Sequence, residues 1–383
     1  MSHDVLIVTA LAGFARSFLM DDIATLQSMG YVVHCAANAN HPGADDVVNF
    51  LKKKNVIFHQ VDFSSSKPLS KNTLQSFFEL QKISSEYDFC LVHCHTPIAG
   101  AICRLVFEKQ RRWKGVSVIY TTHGFYFHKK SSRKTWLIFR SIEDWMSRFT
   151  DVMITINHED FDNAKKMHCN NVKYIPGVGV NLERFRSVQV DRDAYRKTLG
   201  LKPKDFVILA VGEISHRKNQ KIIVEALALC HIPRAVFIIC GNTITGLETK
   251  KEIEEEATNR GIDVRFLGLR KDIPQICKCA DVGVLPSLRE GLGLAGIEML
   301  AAGLPVIGAD VHGIPDYISD GVNGYLADPT DPGSFAEVLE KISDSEIRKS
   351  MSKRCSESVQ SFDMACSHKA MSRIYSEVLE RIE

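Results

Sequence analysis

Two glutamates flank a glycine-rich loop in the stretch REGLGLAGIEMLAAGLPVIGAD. Gly291 and Gly293 let the backbone come close to a ligand, and a helix predicted from about Leu294 would offer its N-terminal amides to an anion. Glu290 lies on the loop side and can accept hydrogen bonds from sugar hydroxyls or face a developing cation. Glu298, one turn into the helix, can hold a ribose diol. Such a glutamate pair is often only structural, but the glycine loop between the two makes the pattern specific.

Two adjacent cations follow another predicted strand. The strand VILAVG ends at Gly212, and EISHRKNQK then places Arg217 and Lys218 in a loop before a helix predicted from about Asn219. Arginine can bind phosphate oxygens through two parallel hydrogen bonds, and lysine adds a compact charge. A solvated loop is the alternative for an isolated Arg-Lys pair. Its position at the end of a strand favours diphosphate binding.

Histidines follow two strands of the first half of the chain. VIYTT ends in His123 and Gly124, which points an imidazole at the same edge of a sheet, although local hydrogen bonds alone could satisfy it. His93 and His95 in HCHTP alternate on a strand end and suggest a metal site. We reject a metal there because no cysteine or carboxylate cluster at the spacing of a zinc site accompanies them. We expect His95 to lie near an acceptor.

One glycine stands at the first strand-to-helix turn. VLIVTA opens into LAGFARSF, with Gly13 at the turn. A lone glycine is weak evidence for a nucleotide site, and the GxGxxG fingerprint is absent. The sequence therefore gives no reason to expect NAD.

Short apolar runs rich in Val and Ile alternate with helical patterns, which is typical of βα units around parallel sheets. Strands are predicted at 5–10, 31–37, 56–63, 89–95, 116–122, 152–157, 172–176, 206–212, 235–241, 264–268, 282–286, 305–309 and 324–328. A charged segment without strand character separates the two runs. We therefore predict two tandem doubly wound α/β domains, whose ligands would bind beyond the carboxyl ends of the strands, in a cleft between them.

The composition is that of a globular protein. Hydrophobic residues make up 45% of the 383 residues and charged residues 25%, and 48 Lys and Arg against 46 acidic residues give no reason to expect nucleic acid as a partner. The 11 cysteines lie mostly in apolar runs, so we expect free thiols and a reducing compartment. No leader pattern and no apolar run of about 18 residues occur. We expect a cytoplasmic protein, or one that rests on a membrane from that side.

The segment 104–148 is unusually basic. It holds eleven Lys and Arg residues against three acidic ones. Aromatic and apolar side chains are interleaved with these cations: Trp113, Phe125, Tyr126, Phe127, Trp136, Leu137, Ile138 and Phe139. This mixture is typical of a surface that rests on anionic lipid headgroups. A core helix with a solvated basic face is the alternative.

Taken together, these motifs resemble those of the retaining, nucleotide-sugar-dependent glycosyltransferases of family 4, which have the GT-B fold. The likeness is carried by VGEISHRKN, by EGLGLAGIE as an E-x7-E element, and by FLGLRKDIPQICKCADVGVLPS and GIPDYISDGVNGYLADP around it. In the amino half, TTHGFYFHKKSSRKTWLIFRSIEDWMSRFTDVMITIN is similar to members that build bacterial capsular and exopolysaccharides. The likeness covers nearly the whole chain.

The resemblance implies a role for each candidate residue. Arg217 and Lys218 would bind the donor diphosphate, Glu290 would contact the transferred sugar, and Glu298 would hold the ribose. Arg270 would meet the base, His123 would approach the reacting face of the sugar, and Gly13 would lie near donor and acceptor. The residues that would touch sugar and phosphate are Gly212 and, through their backbone, Gly291, Leu292, Gly293, Leu294 and Ala295. Many relatives have a glycine pair where Ala12 and Gly13 stand, and this departure concerns the acceptor side. An aromatic is common at Leu292 and Glu at Asp316, and neither of these departures removes a charged contact.

The implied domains are an acceptor-binding domain at 1–180, a nucleotide-sugar-binding domain at 181–361, and a C-terminal helix at 362–383 that returns to the first domain. The implied reaction moves a sugar from a UDP-sugar to a saccharide linked to undecaprenyl diphosphate, with retention. It serves capsule, exopolysaccharide or O-antigen synthesis, at the inner face of the plasma membrane. We expect no metal or other cofactor, since no DxD-type pair follows a strand. The alternatives are a UDP-sugar 2-epimerase of GT-B fold and a catalytically inactive UDP-sugar-binding partner of an assembly complex.

Overall fold

The computed structural model describes residues 3–41, 43–64, 70–243 and 247–381. The chain divides into two compact units, residues 1–178 together with 365–383, and residues 179–364. The last two residues of the C-terminal helix predicted at 362–383 lie outside the described part. The helix observed there, Met364–Leu379, belongs almost wholly to the first unit.

The first unit is built on a parallel sheet of seven strands in the order β3-β2-β1-β4-β5-β6-β7. The strands are β1 (Asp4–Leu11), β2 (Val32–Asn38), β3 (Ile57–Gln60), β4 (Phe89–His95), β5 (Ser117–Thr121), β6 (Val152–Thr155) and β7 (Val172–Tyr174). β4 is buried along its whole length, as expected of a central strand with helices on both faces. The strand order reverses between β1 and β4.

Helices cover both faces of this sheet. They are α1 (Ala12–Phe18), α2 (Met20–Ser28), α3 (Ala44–Lys53), α4 (Lys71–Glu86), α5 (Pro97–Lys114), α6 (Arg133–Met146), α7 (His158–Ala164) and, from the chain's end, α16 (Met364–Leu379). α5 starts with a proline in its first turn and ends at Gly115 in the left-handed region, both common helix boundaries. The Ser132 hydroxyl caps α6 by accepting a hydrogen bond from the Thr135 amide.

The second unit repeats this plan with six parallel strands in the order β10-β9-β8-β11-β12-β13. The strands are β8 (Phe206–Val211), β9 (Ala235–Cys240), β10 (Asp263–Gly268), β11 (Val282–Leu285), β12 (Val306–Ala309) and β13 (Gly324–Ala327). Their helices are α8 (Leu182–Arg186), α9 (Arg192–Thr198), α10 (Lys221–Leu227), α11 (Glu248–Arg260), α12 (Ile273–Cys279), α13 (Leu294–Ala301), α14 (Pro332–Ser343) and α15 (Ser345–Ser358). The order reverses between β8 and β11, and this reversal places the loops that follow these two strands side by side.

Each unit has its own core, and all thirteen predicted strands are confirmed to within a few residues at their ends. In the first unit, Leu6, Val92 and Val118 are completely buried on neighbouring strands. In the second, Ile208 and Phe237 play the same part. The fold class predicted from the alternation of apolar runs and helical patterns is therefore correct.

The cysteines and the lengths of the helices bear on two predictions made from the whole sequence. All eleven cysteines lie in the described part of the chain and are free thiols, as predicted, with Cys366 exposed and the others buried or half-buried. Among the described helices, none is both long and apolar enough to cross a bilayer.

The basic segment 104–148 is less uniformly a surface than predicted. Arg104 is completely buried and pairs with Glu143, so neither contributes to the surface charge. Phe125 and Phe127 are buried in the core of the first unit rather than exposed. The reason is that this segment includes the strand β5 and the turn after it, and side chains of that turn pack into the core.

Candidate functional site

The two cations of the second unit lie in the loop that follows β8. Gly212 has φ of +142°, and a Cβ added there would lie 3.7 Å from the Lys218 side chain, so the strand end and the cation are in close contact. The Arg217 carbonyl accepts a hydrogen bond of 2.9 Å from the Leu288 amide. This bond joins the loop after β8 to the loop after β11. The helix predicted from about Asn219 begins at Lys221.

Glu290 collects the polar groups of both loops. Lys218 Nζ donates to its Oε2 at 2.6 Å, and Arg217 Nη1 lies 3.3 Å from the same oxygen. Ser287 Oγ donates to that oxygen as well, at 3.2 Å, and Arg217 also donates to the Arg289 carbonyl at 3.2 Å. Burial alone would raise the pKa of the Glu290 carboxyl, but Lys218 and Arg217 outweigh it and hold the pKa below its usual range. Glu290 is therefore an anion in the free protein.

The glycine loop leads directly into α13. Gly293 precedes the helix with φ of +81°, a conformation that disfavours other residues, and its carbonyl accepts a hydrogen bond of 3.1 Å from Tyr317 Oη. A Cβ at Gly293 would lie 2.9 Å from the Glu290 side chain, and one at Gly296 would lie 2.4 Å from Tyr317 Oη. These glycines let the loop pack tightly on its neighbours. Leu292 is buried.

Glu298 lies within α13, half-buried. No hydrogen bond engages its carboxylate within the ranges described. Burial raises the pKa of this carboxyl to about 6, and the more distant charge of Arg184 offsets only a part of the effect. The group can thus accept hydrogen bonds from a ligand without first losing a protein partner.

Arg270 is held by a neighbour. Its Nε and Nη2 atoms donate to the two oxygens of Asp272 at 2.8 and 2.5 Å, and the Tyr195 hydroxyl also bonds to Asp272. This pairing raises the pKa of Arg270 and lowers that of Asp272 to about 2. The guanidinium plane is therefore fixed, and a fixed plane suits stacking on a flat ring better than a mobile side chain would.

In the first unit, the predicted histidine follows β5. His123 Nε2 lies 3.1 Å from His95 Nδ1, and the Phe14 ring packs edge-on against His123 with centroids 4.9 Å apart. Burial lowers the pKa of His123 to about 4, so the imidazole is neutral at physiological pH. Gly13 is the second residue of α1, and a Cβ there would meet no atom within 4 Å.

A buried network that sequence reasoning missed lies next to this pair. His93 Nδ1 lies 2.7 Å from Tyr375 Oη on α16, and its Nε2 lies 2.7 Å from Thr121 Oγ1. Tyr375 in turn bonds to Asp22 on α2, where burial raises the carboxyl pKa to about 7. No local signal could have linked residues 282 positions apart.

The same network qualifies the argument against a metal. Asp22, His93 and His95 bring one potential ligand atom each within 4.8 Å of one another, so a carboxylate does accompany the two histidines. Sequence spacing hid it, because Asp22 lies on another helix. Both nitrogens of His93 are already engaged by hydroxyl groups, and a metal would have to displace one of them.

Comparison with known families gives the arrangement its context. The model of glycosyl transferases group 1 matches residues 191–361, and that of Glycosyltransferase Family 4 matches residues 19–184. EpsD of Bacillus subtilis (strain 168), which is named as a glycosyltransferase, is 32% identical over 349 residues, which cover 89% of this chain and 88% of EpsD. The UDP-Gal:alpha-D-GlcNAc-diphosphoundecaprenol alpha-1,3-galactosyltransferase of Escherichia coli is 31% identical over 290 residues, which cover 74% and 73%.

Solved structures show the same fold. HepE of Anabaena in complex with UDP matches with a TM-score of 0.77 at 22% identity, over 100% of both chains. Sucrose-phosphate synthase of Thermosynechococcus elongatus matches with a TM-score of 0.82 at 19% identity, over 99% of this chain and 100% of that one. Two parallel-sheet Rossmann-like units are thus common to this chain and to these structures. The chain belongs to the family 4 glycosyltransferases of GT-B fold, and it is a glycosyltransferase.

Proposed function

We propose that this glycosyltransferase moves a hexose from a UDP-sugar to a saccharide carried on a polyprenyl diphosphate, with retention at the anomeric carbon. The observation that supports it most is the cluster of Arg217, Lys218 and Glu290 beside the N-terminus of α13. Paired cations and the first amides of a helix suit a diphosphate, and a carboxylate held among them suits a sugar hydroxyl.

The donor proposal draws on two kinds of relative. The E. coli galactosyltransferase is named for UDP-Gal, and HepE was crystallised with UDP and with UDP-glucose. In this chain, Glu298 would accept hydrogen bonds from the ribose hydroxyls, and the fixed guanidinium of Arg270 would meet the base. The backbone from Gly291 to Ala295, together with Gly212, would approach the diphosphate and sugar closely.

The chemistry follows from where charge develops. The bond between the anomeric carbon and the diphosphate oxygen breaks, and the negative charge that grows on the leaving oxygen is stabilised by Arg217, Lys218 and the α13 amides. Glu290 is already shared by two cations and a hydroxyl, so we assign it to a sugar hydroxyl rather than to a covalent intermediate. The acceptor hydroxyl then attacks on the face that the diphosphate leaves, and its proton passes to the departing phosphate.

We assign His123 to the sugar as a neutral hydrogen-bond partner, since burial keeps its pKa near 4. His95 holds the ring in place through the 3.1 Å contact between the two imidazoles. We also propose that transfer requires no metal ion, because the two cations supply the charge that a divalent ion would otherwise bring to the diphosphate. Turnover that is unchanged in excess EDTA is the expected result.

The acceptor proposal rests on the E. coli relative, which is named for a diphosphoundecaprenol-linked substrate, and on the surface of α6. On this helix Leu137 is 61% exposed and Trp145 48% exposed, and the exposed cations Arg133 and Lys134 stand in its first turn. An amphipathic helix of this kind binds anionic lipid surfaces, with each nearby cation contributing about 1 kcal/mol. We propose peripheral association with the cytoplasmic membrane face and a role in capsule, exopolysaccharide or O-antigen synthesis.

A screen of UDP-sugars against synthetic undecaprenyl-diphosphate saccharides tests the proposal, with NMR of the product to determine its anomeric configuration. Each UDP-sugar is also incubated without acceptor, since a 2-epimerase would convert it alone. The expected result is acceptor-dependent release of UDP and an α-linked product from an α-linked donor. Inversion at the anomeric carbon would exclude the mechanism, and conversion of the donor alone would replace the transferase by the epimerase.

A further inference from the structure

An apolar groove opens in the first unit between α5 and α6, with a volume of about 330 Å³. We call it the α5–α6 groove. Its walls are formed by six side chains: Ile98, Ala101 and Leu105 on α5, Tyr126 after β5, and Phe139 and Ile142 on α6. Nothing in the assignment of donor and sugar contacts uses this groove.

The floor of the groove carries charge but offers none to a ligand. Arg104 Nη1 and Nη2 donate to Glu143 Oε2 at 3.2 and 3.1 Å, and Arg104 Nε donates to the Gly100 carbonyl at 3.1 Å. The guanidinium also lies 3.9 Å above the centre of the Tyr120 ring. Since this ion pair is satisfied internally, an uncharged, apolar occupant fits the groove better than an ionic one.

Two kinds of residue line the groove. Thr122 and Gly124 are the residues on either side of His123. Leu105 on α5 and Ile142 on α6 are 38% and 48% exposed. The groove therefore includes neighbours of the residue assigned to the sugar as well as exposed apolar side chains.

Exposed charge lies on α6, the helix that forms one wall of the groove. Arg133 and Lys134 are exposed in the first turn of this helix. A ligand with an anionic head and a flexible hydrocarbon tail satisfies both the cations and the groove. An unmodified peptide segment would bring polar backbone groups that the groove walls cannot pair.

We infer that the α5–α6 groove binds the isoprene units of the carrier lipid nearest to its diphosphate. This inference rests on the proposed function, because it takes the acceptor to be a polyprenyl diphosphate. An apolar cavity of about 150 Å³ accommodates benzene, so about 330 Å³ has room for roughly two isoprene units. The rest of the chain would remain in the bilayer.

Binding of short prenyl diphosphates to the full chain tests the inference without any sugar. Dimethylallyl, geranyl and farnesyl diphosphate, with one, two and three isoprene units, are titrated by calorimetry in the absence of membranes. The Kd is expected to fall at least about tenfold from one unit to two, because five more carbons are buried, and to change little from two to three. Equal affinity for all three compounds would overturn the inference.

Three variants make the test specific. Ala101→Phe fills the groove, and Ile142→Gln places a polar group on its wall at a position that is 48% exposed. Both are expected to abolish the preference for geranyl over dimethylallyl diphosphate. The matched control is Leu137→Gln on the same helix, exposed but outside the groove, which should weaken binding to anionic vesicles yet keep that preference. A full preference in both groove variants would be incompatible with binding in the groove.

Failure of this inference and failure of the proposed function look different. If polyprenyl-linked saccharides are glycosylated but affinity does not depend on prenyl length, the groove assignment is wrong and the acceptor proposal stands. If geranyl diphosphate binds with the expected preference but no polyprenyl-linked saccharide is glycosylated, the groove assignment stands and the acceptor proposal is wrong.

Discussion

Lys218 Nζ lies 2.6 Å from Glu290 Oε2, although the two residues are 72 positions apart in the chain. The lysine assigned to the donor diphosphate and the carboxylate assigned to the donor sugar are therefore an ion pair before any donor binds. The side chain of each is only 14% exposed, so the pair is held in place and little ordering is left for the binding step.

Lys218→Ala is expected to lower kcat/KM by about 10²–10³, because a charge that stabilises the leaving group is lost. The Kd for UDP should rise by about tenfold, as expected for the loss of a charge-assisted hydrogen bond. His216→Ala is the matched control, since His216 is a 77% exposed residue of the same loop. Wild-type kinetics in Lys218→Ala would show that the diphosphate binds elsewhere.

Donor binding should depend on pH through Glu298, whose pKa is raised to about 6 by burial. If the ionised carboxylate accepts the ribose hydrogen bonds, the Kd for a UDP-sugar should rise several-fold between pH 7 and pH 5 as the group becomes protonated. A UDP-sugar is the right probe, because its diphosphate does not titrate in this range. Glu298→Gln should bind more weakly at pH 7 and show no such dependence; a persistent pH effect in this variant would assign it to another group.

The same carboxylate should cost stability. The folded-state pKa of Glu298 lies above the ordinary value of 4.5, so the native protein holds a proton that the unfolded chain has released, and stability falls as pH rises from about 4.5 to about 6. Glu298→Gln is therefore expected to stabilise the second unit at pH 7 by about 1–2 kcal/mol. Urea unfolding at pH 4 and pH 7 measures this, and an equal effect at both pH values would contradict it.

Removing one member of the buried ion pair under the α5–α6 groove should destabilise the protein more than removing both. Arg104→Met leaves the Glu143 carboxylate buried without its partner and is expected to destabilise the first unit by about 3–5 kcal/mol. The double variant Arg104→Met with Glu143→Leu should recover most of that loss, since no unpaired charge remains. Thermal unfolding of the single and double variants decides this, and additive losses would show that the two side chains contribute to stability independently.

Gly13→Ala separates packing from ligand contact. Its Cβ would meet no protein atom within 4 Å, and alanine favours the helix by about 0.5–1 kcal/mol, so the Tm should stay constant or rise. If Gly13 allows a substrate to come close, KM for donor or acceptor should rise while the Tm does not fall. Unchanged kinetics would remove Gly13 from the site.

The sequence by itself determined the elements and their class. Thirteen strands, the glycine loop with its two glutamates, and the Arg-Lys pair after β8 were readable because each depends on residues within about ten positions of one another. Apolar runs of four to eight residues between helical patterns suffice for a parallel sheet, and in such a sheet the residues after each strand must gather at one edge.

Only the tertiary structure decided which side chains meet. Three contacts join residues that lie 39 to 282 positions apart in the chain: Glu290 with Arg217 and Lys218, Arg104 with Glu143, and His93 with Tyr375. Hydrophobic periodicity fixes which face of an element is buried, but a polar group can be satisfied by any partner that the packing brings within about 3 Å. The choice among those partners is made by the fold, because burial makes an unpaired polar group costly and so selects the arrangement in which each finds a bond.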